Sequence, residues 1–404
     1  MSPVGSGPGP AAGPRAGQLA GPPAGPPAGP LTGVRVVELG GIGPGPFAAM
    51  QLAELGADVV RVDRPGEANP LALAGGMRRS RPGIAVDLKH PDGVEVVRRL
   101  LADADVLLEG FRPGVLERLG LAPDDLLEAN PRLVVARMTG WGQDGPWAQR
   151  AGHDITYAAL SGTLHALGPR SRPVAPVPVL GDFAGGSMYV LVGVLAALVS
   201  RATTGRGQVV DAAMVDGAAH LLTMVHGMLG AGLWRDERAA NLLDGGAPFY
   251  DVYECAGGGF VAVGALEPQF WRELVSGLGL ELEGEQYDTD AWPAHRAAFT
   301  AAFATRTRDE WAQAFEGTDA CVAPVLSLAE APSHPHLAAR GTFVEGPAGG
   351  HPVPRPSPRF SATPQRDPGP EPAPGADTVT YLTAHGFTGE EIEALLSSGA
   401  VVRS

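Results

Sequence analysis

Residues 34–63 read "VRVVELGGIGPGPFAAMQLAELGADVVRVD", and this stretch decides the fold class. The β-branched runs at its two ends, residues 34–39 and 58–63, are typical of buried strands. Between them a Gly/Pro turn leads into "FAAMQLAELGA", which has helical periodicity and ends at Gly56. A strand, a helix and a second strand in this order indicate a parallel βαβ unit with a right-handed crossover.

The same alternation continues along the chain. Residues 91–104 predict a helix, and residues 105–110 and 132–141 predict strands. The segment "DFAGGSMYVLVGVLAALVSRATTGRG" predicts a strong helix, with Asp182 placed as its N-terminal cap. Further on, "YDVYECAGGGFVAVGA" predicts a β-hairpin with glycines at its turn, followed by helices, and "TGEEIEALLSSG" predicts a final helix.

A chain of 404 residues is too long for one compact core, so more than one domain is expected. The pattern predicts an α/β protein with a Rossmann-like large domain and a smaller α+β domain. The boundaries we expect are a disordered Pro/Gly-rich leader over 1–30, the large domain over 31–215, linker helices over 216–245, the small domain over 246–330, a Pro-rich return linker over 331–376, and a C-terminal segment packing on the large domain over 377–404.

Composition narrows the function. A net charge of −14 argues against a general nucleic-acid or anionic-membrane binder, which needs basic surface. The two cysteines, Cys255 and Cys321, cannot form a disulfide framework, so a cytoplasmic location is expected and both should pack as small hydrophobes. The longest strongly apolar run, residues 188–199, is shorter than the ~20 residues that span a bilayer, and no signal peptide is recognisable, so no membrane insertion is expected.

The glycine turn at the start of the fold raises the alternative of a dinucleotide site. It follows a strand and precedes a helix, and Asp63 lies where a ribose-binding acid of an NAD-dependent oxidoreductase would sit. Pro44 and Pro46 speak against that alternative, because proline lacks the backbone N–H that a pyrophosphate cradle uses. A tight βα turn without a nucleotide is the favoured interpretation.

Basic residues cluster near the predicted strand ends of this acidic chain. Arginine forks and a lysine point charge suit the phosphates of a nucleotide-like ligand such as coenzyme A. The alternative for each residue alone is ordinary solvated charge. The candidates are Arg64, Arg78, Arg79, Arg81, Lys89, Arg112 and Arg118.

Several long segments occur together in an order that resembles a known family. They include "LTGVRVVELGGIGPGPFAAMQLAELGADVVRVDRPG", "GFRPGVLERLGL", "ARMTGWGQDGPWAQRAGHDITYAALSG", "GDFAGGSMYVLVGVLAAL" and "GGAPFYDVYECAGGGFVAVGALEPQFW". The chain resembles the family III CoA-transferases from about residue 31 to about residue 345, and within them the α-methylacyl-CoA racemases. The resemblance implies an interlocked homodimer, an acyl-CoA substrate of lipid metabolism, and no metal or redox cofactor.

The resemblance also implies a set of CoA-binding residues. They map to short stretches after the predicted strands and to the stretch that contains "GHDITY". The implied residues are Arg64, Val86, Asp87, Leu88, Lys89, Gly110, Phe111, Arg112, Arg118, Gly152, Ile155, Thr156 and Tyr157.

In the racemases the catalytic pair is the histidine of "GHD" and the aspartate that opens "DFAGG", here His153 and Asp182. The resemblance also implies that Asp154 lies near Asp182 and Glu267 near His153. Transferases of the family share the aspartate but carry tyrosine or another residue in place of the histidine, so "GHDITY" favours a racemase. The alternative is a CoA-transferase that forms an acyl-aspartyl anhydride on Asp182.

Inverting a stereocentre beside a thioester carbonyl requires a base on one face of the α-carbon and an acid on the other. Histidine and a carboxyl group suit this if burial raises the pKa of the acid towards that of the imidazole. The enolate between them needs donors, which a helix N-terminus offers, and Gly185 and Gly186 would let the substrate approach that backbone. We expect Ile155, Leu180 and Met188 to keep the site dry.

Overall fold

The large sheet organises the molecule. The computed structural model describes residues 29–67, 69, 76–347 and 349–404, so the predicted leader lies almost wholly outside the described residues. Within them, seven strands form one sheet in the order β12-β3-β2-β1-β4-β5-β6. The strands are β1 (Arg35–Leu39), β2 (Asp58–Asp63), β3 (Gly83–Val86), β4 (Val106–Glu109), β5 (Val134–Thr139), β6 (Val209–Ala213) and β12 (Val401–Val402).

The predicted βαβ opening is confirmed. Strands β1 and β2 pair in parallel, with Val36 opposite Val59, and β4, β5 and β6 follow in parallel on the other side of β1. Their β-branched residues are buried because both faces of the sheet carry an apolar cluster. The large domain is therefore a mixed α/β unit built on a mainly parallel sheet, as the sequence predicts.

The helices cover both sheet faces and the loops between strands. The first, α1, begins at Pro44, inside the predicted turn, since proline is well tolerated in the first turn of a helix. The helices on the large sheet are α1 (Pro44–Glu54), α2 (Pro91–Ala102), α3 (Val115–Arg118), α4 (Pro123–Ala129), α5 (Asp154–Leu160), α6 (Met188–Thr204), α7 (Met214–Leu221), and α8 (Thr223–Gly230).

A π-helix, Val179–Ser187, continues directly into α6 and changes the position of Asp182. Asp182 lies in its first turn rather than at the cap, because the helix starts earlier than the glycine pattern suggested. Together the two segments span 26 residues, and an 18-residue window within them has a mean hydropathy of 1.9, long and apolar enough by those criteria to cross a membrane. One such helix is weak support for a span, and the close approach of Gly193 to Val210 packs this one against β6.

A second, antiparallel sheet forms after residue 249. Strands β7 (Tyr250–Glu254) and β8 (Phe260–Gly264) make the predicted hairpin, and β9 (Val322–Pro324) adds a third strand that the sequence did not reveal. Helices α9 (Pro268–Leu278), α10 (Trp292–Phe303) and α11 (Arg308–Ala314) cover one face. Cys255 is buried there as predicted, whereas the prediction for Cys321 is wrong, because its side chain is exposed.

The end of the chain returns to the large sheet. After α12 (Pro335–Arg340), the short strands β10 (Phe343–Val344) and β11 (Val353–Pro354) pair with each other. Helices α13 (Thr378–Ala384) and α14 (Gly389–Ser398) follow, and β12 then pairs antiparallel with β3. The final helix was predicted, and α13 and β12 were not. The domain boundaries stated above stay predictions.

Candidate active site

Asp182 is held against the fold by an unusually close backbone contact. A side chain at Gly185 would place its Cβ 2.7 Å from the amide nitrogen of Ala218, and one at Gly217 would lie 1.9 Å from the carbonyl oxygen of Gly185. Only glycine fits at such distances, so the glycines of "DFAGG" and "MVDG" let the π-helix and α7 touch through their backbones. π-helical turns are frequent at functional sites, and this one sets the direction of the Asp182 carboxyl.

Asp154 ties the start of α5 to the same π-helix. Its Oδ2 accepts hydrogen bonds from the amide of Gly181 at 2.6 Å and from that of Asp182 at 2.9 Å. The side chain is buried, and its Oδ1 has no hydrogen-bond partner among the described residues. The predicted nearness of Asp154 and Asp182 is thus seen in the structure, with the Asp154 carboxylate accepting from two backbone amides of the π-helix. Two amides expected to face an enolate are therefore already occupied.

The electrostatic setting of Asp182 suits proton transfer near neutral pH. Burial raises the pKa of its carboxyl to about 6, and the nearby Asp154 carboxylate adds to the rise. His153 acts in the opposite direction, which places the imidazole within electrostatic reach of the carboxyl. A group with this pKa is present in both protonation states at cellular pH, as an acid and base that exchange roles must be.

His153 stands at the N-terminus of α5, directly before Asp154. Its backbone is extended, and its amide donates a hydrogen bond to the Thr156 hydroxyl at 3.0 Å. The side chain is exposed in the single chain. The imidazole is consequently free to meet a substrate next to Asp182.

Tyr157 lies close to Asp154 and Asp182. Its ring is buried against Gly140 and Gly152, where an added Cβ would lie 2.4 and 2.5 Å from the ring, and it meets Trp141 edge-on. Burial and then the charge of Asp182 raise the pKa of its phenol to about 12, while Arg112 opposes the rise. Gly152 is therefore required for packing, and Arg112 lies on the catalytic side of the site.

The Gly/Pro turn before α1 lies next to the Asp182 carboxyl. A Cβ at Gly43 would lie 3.6 Å from Oδ2 of Asp182, and the Ser187 hydroxyl donates to the carbonyl of Pro44 at 2.7 Å. Gly43 has a φ of 71°, in the left-handed region that favours glycine. The nearness of this turn to Asp182 was not predicted, although the glycines and prolines of the turn were the available sequence signal for a close backbone approach.

A separate cavity of about 300 Å³ lies at the carboxyl ends of β2, β3 and β4. Several of the implied CoA-binding residues line it together, and Glu67 and Asp63 add acidic groups to its wall. Gly110 directly precedes one lining residue, and Arg118 is an exposed side chain outside the lining. The implied residues found in the lining are Arg64, Val86, Asp87, Leu88, Lys89 and Phe111.

Three of the candidate phosphate-binding arginines are wrong. Arg78 forms an ion pair with Asp63 at 2.7 Å, Arg79 with Glu54 at 2.6 Å and Arg81 with Glu38 at 2.7 Å. All three side chains are buried and paired with carboxylates, so they are not available to bind a phosphate. Because Asp63 is engaged by Arg61 and Arg78, its carboxylate is not free to bind the ribose of NAD.

Glu267 occupies a different place from the one that the resemblance implies for a single chain. It precedes α9 in the small domain, is exposed, and makes no described contact with His153. Its charge instead contributes, after burial, to raising the pKa of the Cys321 thiol. Two of the three residues expected to keep the site dry are also open in the single chain, since Ile155 is 42% and Met188 48% exposed, while Leu180 is partly buried.

Comparison with known proteins identifies the family of this chain. The model of CoA-transferase family III matches residues 31–378. The chain belongs to this family. Among family III relatives, alpha-methylacyl-CoA racemase of Mus musculus is 47% identical over 92% of this chain and 97% of its own length, and the Homo sapiens racemase is 46% identical over 91% and 96%.

More distant members of family III share the fold and part of the sequence. Succinyl-CoA:glutarate CoA-transferase of Homo sapiens is 28% identical over 92% of this chain and 90% of its own length. The crystal structure of a CAIB/BAIF family protein from Brucella suis superposes with a TM-score of 0.74 at 28% identity, covering 89% of this chain and all of that one. The sequence resemblance stated above is confirmed.

Proposed function

We propose that this family III member is an isomerase that racemises 2-methylacyl-CoA thioesters by 1,1-proton transfer at the α-carbon. The racemase relatives support the reaction, since their identity exceeds 45% over more than nine-tenths of the chain. The observation that carries the proposal is the Asp182 carboxyl, with a pKa raised to about 6, standing within electrostatic reach of His153.

The proton moves in two balanced steps. In one direction the neutral imidazole of His153 takes the α-proton from one face, and the C–H electron pair passes into an enolate whose charge rests on the thioester oxygen. Protonated Asp182 then returns a proton to the opposite face. For the other enantiomer, the Asp182 carboxylate is the base and the imidazolium of His153 the acid.

The enolate is stabilised by the start of the long helix. Its dipole carries partial positive charge at the end where Asp182 lies, and the enolate would use this charge rather than the amides of Gly181 and Asp182, which Asp154 occupies. Because Asp154 holds the amides of Gly181 and Asp182, it fixes the helix start and keeps a negative charge beside the acid. Asp154 therefore supports catalysis by orienting Asp182 and by raising its pKa.

CoA occupies the cavity of about 300 Å³ in this proposal, with its phosphates near Arg64 and Lys89. Between the cavity and the catalytic pair, the pantetheine part of CoA would pass Gly110, Phe111 and Arg112. The residues that would line its path to the reacting carbon are Gly152, Ile155, Thr156 and Tyr157. Arg118 serves as an outer cation. The proposed reaction requires no metal ion and no redox cofactor.

The active protein is an interlocked homodimer in this proposal. A single chain leaves His153 exposed and without Glu267, and it also leaves apolar residues of the long helix, such as Val192 and Val199, 62% and 71% exposed. A second copy that covers this helix would exclude water and could bring its own Glu267 to the imidazole. We place the protein in the cytoplasm, free of membrane insertion.

A second candidate is a CoA-transferase, favoured by the family model and by the glutarate CoA-transferase relative. Asp182 would attack the thioester carbonyl, CoA thiolate would leave, and an acyl-aspartyl anhydride would form. The released CoA thiolate would then attack the aspartyl carbonyl, expelling the first carboxylate and leaving an aspartyl-CoA thioester. A carboxylate acceptor would attack this thioester to form a second anhydride and free CoA thiolate, which would attack the acceptor's carbonyl to give the new acyl-CoA and free Asp182. This route needs an acceptor, and hydroxylamine with borohydride should trap Asp182.

Proton NMR in D₂O with (R)- and (S)-2-methylacyl-CoA separates the two reactions. A racemase exchanges the α-proton of both enantiomers without an acceptor. We expect His153→Ala and Asp182→Ala to slow exchange at least about 100-fold, the usual contribution of a general acid or base. His165→Ala, an exposed histidine outside the site, should exchange at the wild-type rate. A trapped Asp182 adduct with no α-deuteration would establish the transferase instead.

A further inference from the structure

We propose that Thr378 is a positioning residue for CoA. It acts through β3, whose end leads into the cavity residues 86–89. This inference rests on the proposed function, because it takes CoA as the occupant of that cavity. Thr378 does not line the cavity, so its effect must pass through the backbone that it holds.

The Thr378 hydroxyl joins two strands at the sheet edge. It accepts a hydrogen bond from the amide of Ala85 in β3 at 3.1 Å and donates one to the carbonyl of Val402 in β12 at 2.8 Å. The residue has no exposed surface, so water cannot replace either bond. One side chain thus completes hydrogen bonding that a sheet edge would otherwise leave open.

Strand β12 holds the cavity end of β3 directly. Val401 pairs with Val86, and the carbonyl of Ala400 accepts a hydrogen bond from the amide of Asp87 at 2.9 Å. Val86 and Asp87 both line the cavity. The last residues of the chain therefore fix the backbone against which the proposed CoA lies.

The segment before Thr378 anchors neighbouring backbone in the same way. The Asp377 carboxylate accepts a hydrogen bond from the amide of Gly83 at 2.9 Å. Arg78 donates to the carbonyl of Pro372 and forms its ion pair with Asp63, another cavity residue. Two walls of the cavity are consequently held by the chain segment that contains Thr378.

The catalytic pair lies elsewhere on the sheet. His153 follows β5, and β3 is separated from β5 by β2, β1 and β4 in the strand order. Loosening β3 should therefore weaken the binding of CoA and leave proton transfer at saturating substrate unchanged. That difference separates a positioning role from a general effect on the fold.

The test replaces Thr378 by valine, which has the same shape and lacks the hydroxyl. We expect Thr378→Val to weaken binding of free CoA about tenfold by calorimetry, to raise KM for 2-methylacyl-CoA equally, and to leave kcat for α-deuteration within twofold of wild type. Thr378→Ser keeps the hydroxyl and should restore affinity. Thr383→Val is the matched control, since that threonine lies on the same helix with an exposed hydroxyl bonded to Val379.

Each other result overturns the inference. If wild-type protein binds CoA and Thr378→Val binds it equally well, the positioning role is excluded while the proposed function stands. If kcat falls as much as KM rises, Thr378 acts on the whole fold. If wild-type protein does not bind CoA, the proposed function fails and this inference with it.

A measurement on the wild-type protein does not depend on the variant folding. Saturating CoA should slow amide hydrogen exchange over residues 83–89 and, at the same time, over residues 399–404, which do not line the cavity. Protection of the first segment without the second would contradict the coupling.

Discussion

At the scale of single residues, the surroundings of one carboxyl decide the chemistry. Asp182 is partly buried beside the Asp154 carboxylate, and both conditions disfavour its ionised form. The same conditions make the ionised residue unfavourable for folding, because the unfolded chain ionises freely at lower pH. Catalytic suitability and stability are therefore opposed at this position.

The Asp182→Asn variant tests that opposition. Since the folded pKa of about 6 exceeds the ordinary aspartate value, the folded protein keeps a proton that the unfolded chain has lost, and its stability falls as pH rises from about 4 to about 6. Asparagine cannot ionise, so we expect the variant to be about 1 kcal/mol more stable than wild type at pH 8, with the difference shrinking towards pH 4.

Urea denaturation at several pH values measures this effect. Asp103→Asn, at an exposed position after α2, serves as the control and should show no gain. A stability difference that is the same at pH 4 and pH 8 would mean that ionisation of Asp182 is not its cause.

At the scale of secondary structure, a π-helix packed through glycine backbone positions Asp182, the proposed catalytic acid. Gly185 and Gly217 bring the π-helix and α7 into backbone contact, and Asp154 ties α5 to the same point. Three elements thus converge on one turn. The glycine pair of "DFAGG" is needed for packing here, in addition to the substrate approach that the sequence suggested.

Substituting Gly185 by alanine should separate these elements. Its Cβ would lie 2.7 Å from the nitrogen of Ala218 and 2.9 Å from the carbonyl oxygen of Met214, so the π-helix must shift. We expect a loss of about 1–3 kcal/mol in unfolding free energy and a loss of α-deuteration of more than about tenfold. Gly389→Ala, at the open start of α14, should change neither. A fully active and stable Gly185→Ala variant would show that the close contact is not needed.

At the scale of the whole molecule, the single chain leaves parts of the candidate site exposed. Its site contains His153 and Asp182, while Glu267 stands in the small domain without a described contact to either, and apolar side chains of the long helix face outward. The proposed homodimer resolves both features by joining the large domain of one copy to the small domain of the other.

Coexpression of two inactive subunits tests this arrangement. If Glu267 serves the His153 of the partner, a dimer of one His153→Ala and one Glu267→Ala subunit contains one intact site, and activity should recover to roughly half of wild type per mixed dimer. A mixture of His153→Ala and Asp182→Ala serves as the control, because the proposal assigns both residues to the same site within one chain. Absence of recovery in the first mixture would place Glu267 and His153 in the same chain, and a Glu267→Ala homodimer with wild-type activity would show that Glu267 is dispensable.

The order of residues along the chain determined the parallel sheet and the hairpin, because strand, turn and helix-start patterns are local. The nearness of Asp154 to Asp182 was implied by the family resemblance and not by a local pattern. Only the tertiary structure decided that Arg78, Arg79 and Arg81 are buried ion pairs, that the glycine turn meets Asp182, and that β12 closes the sheet over β3. Burial and ion pairing depend on residues far apart in sequence, and a strand of two residues has too little pattern to be recognised before its partner is in place.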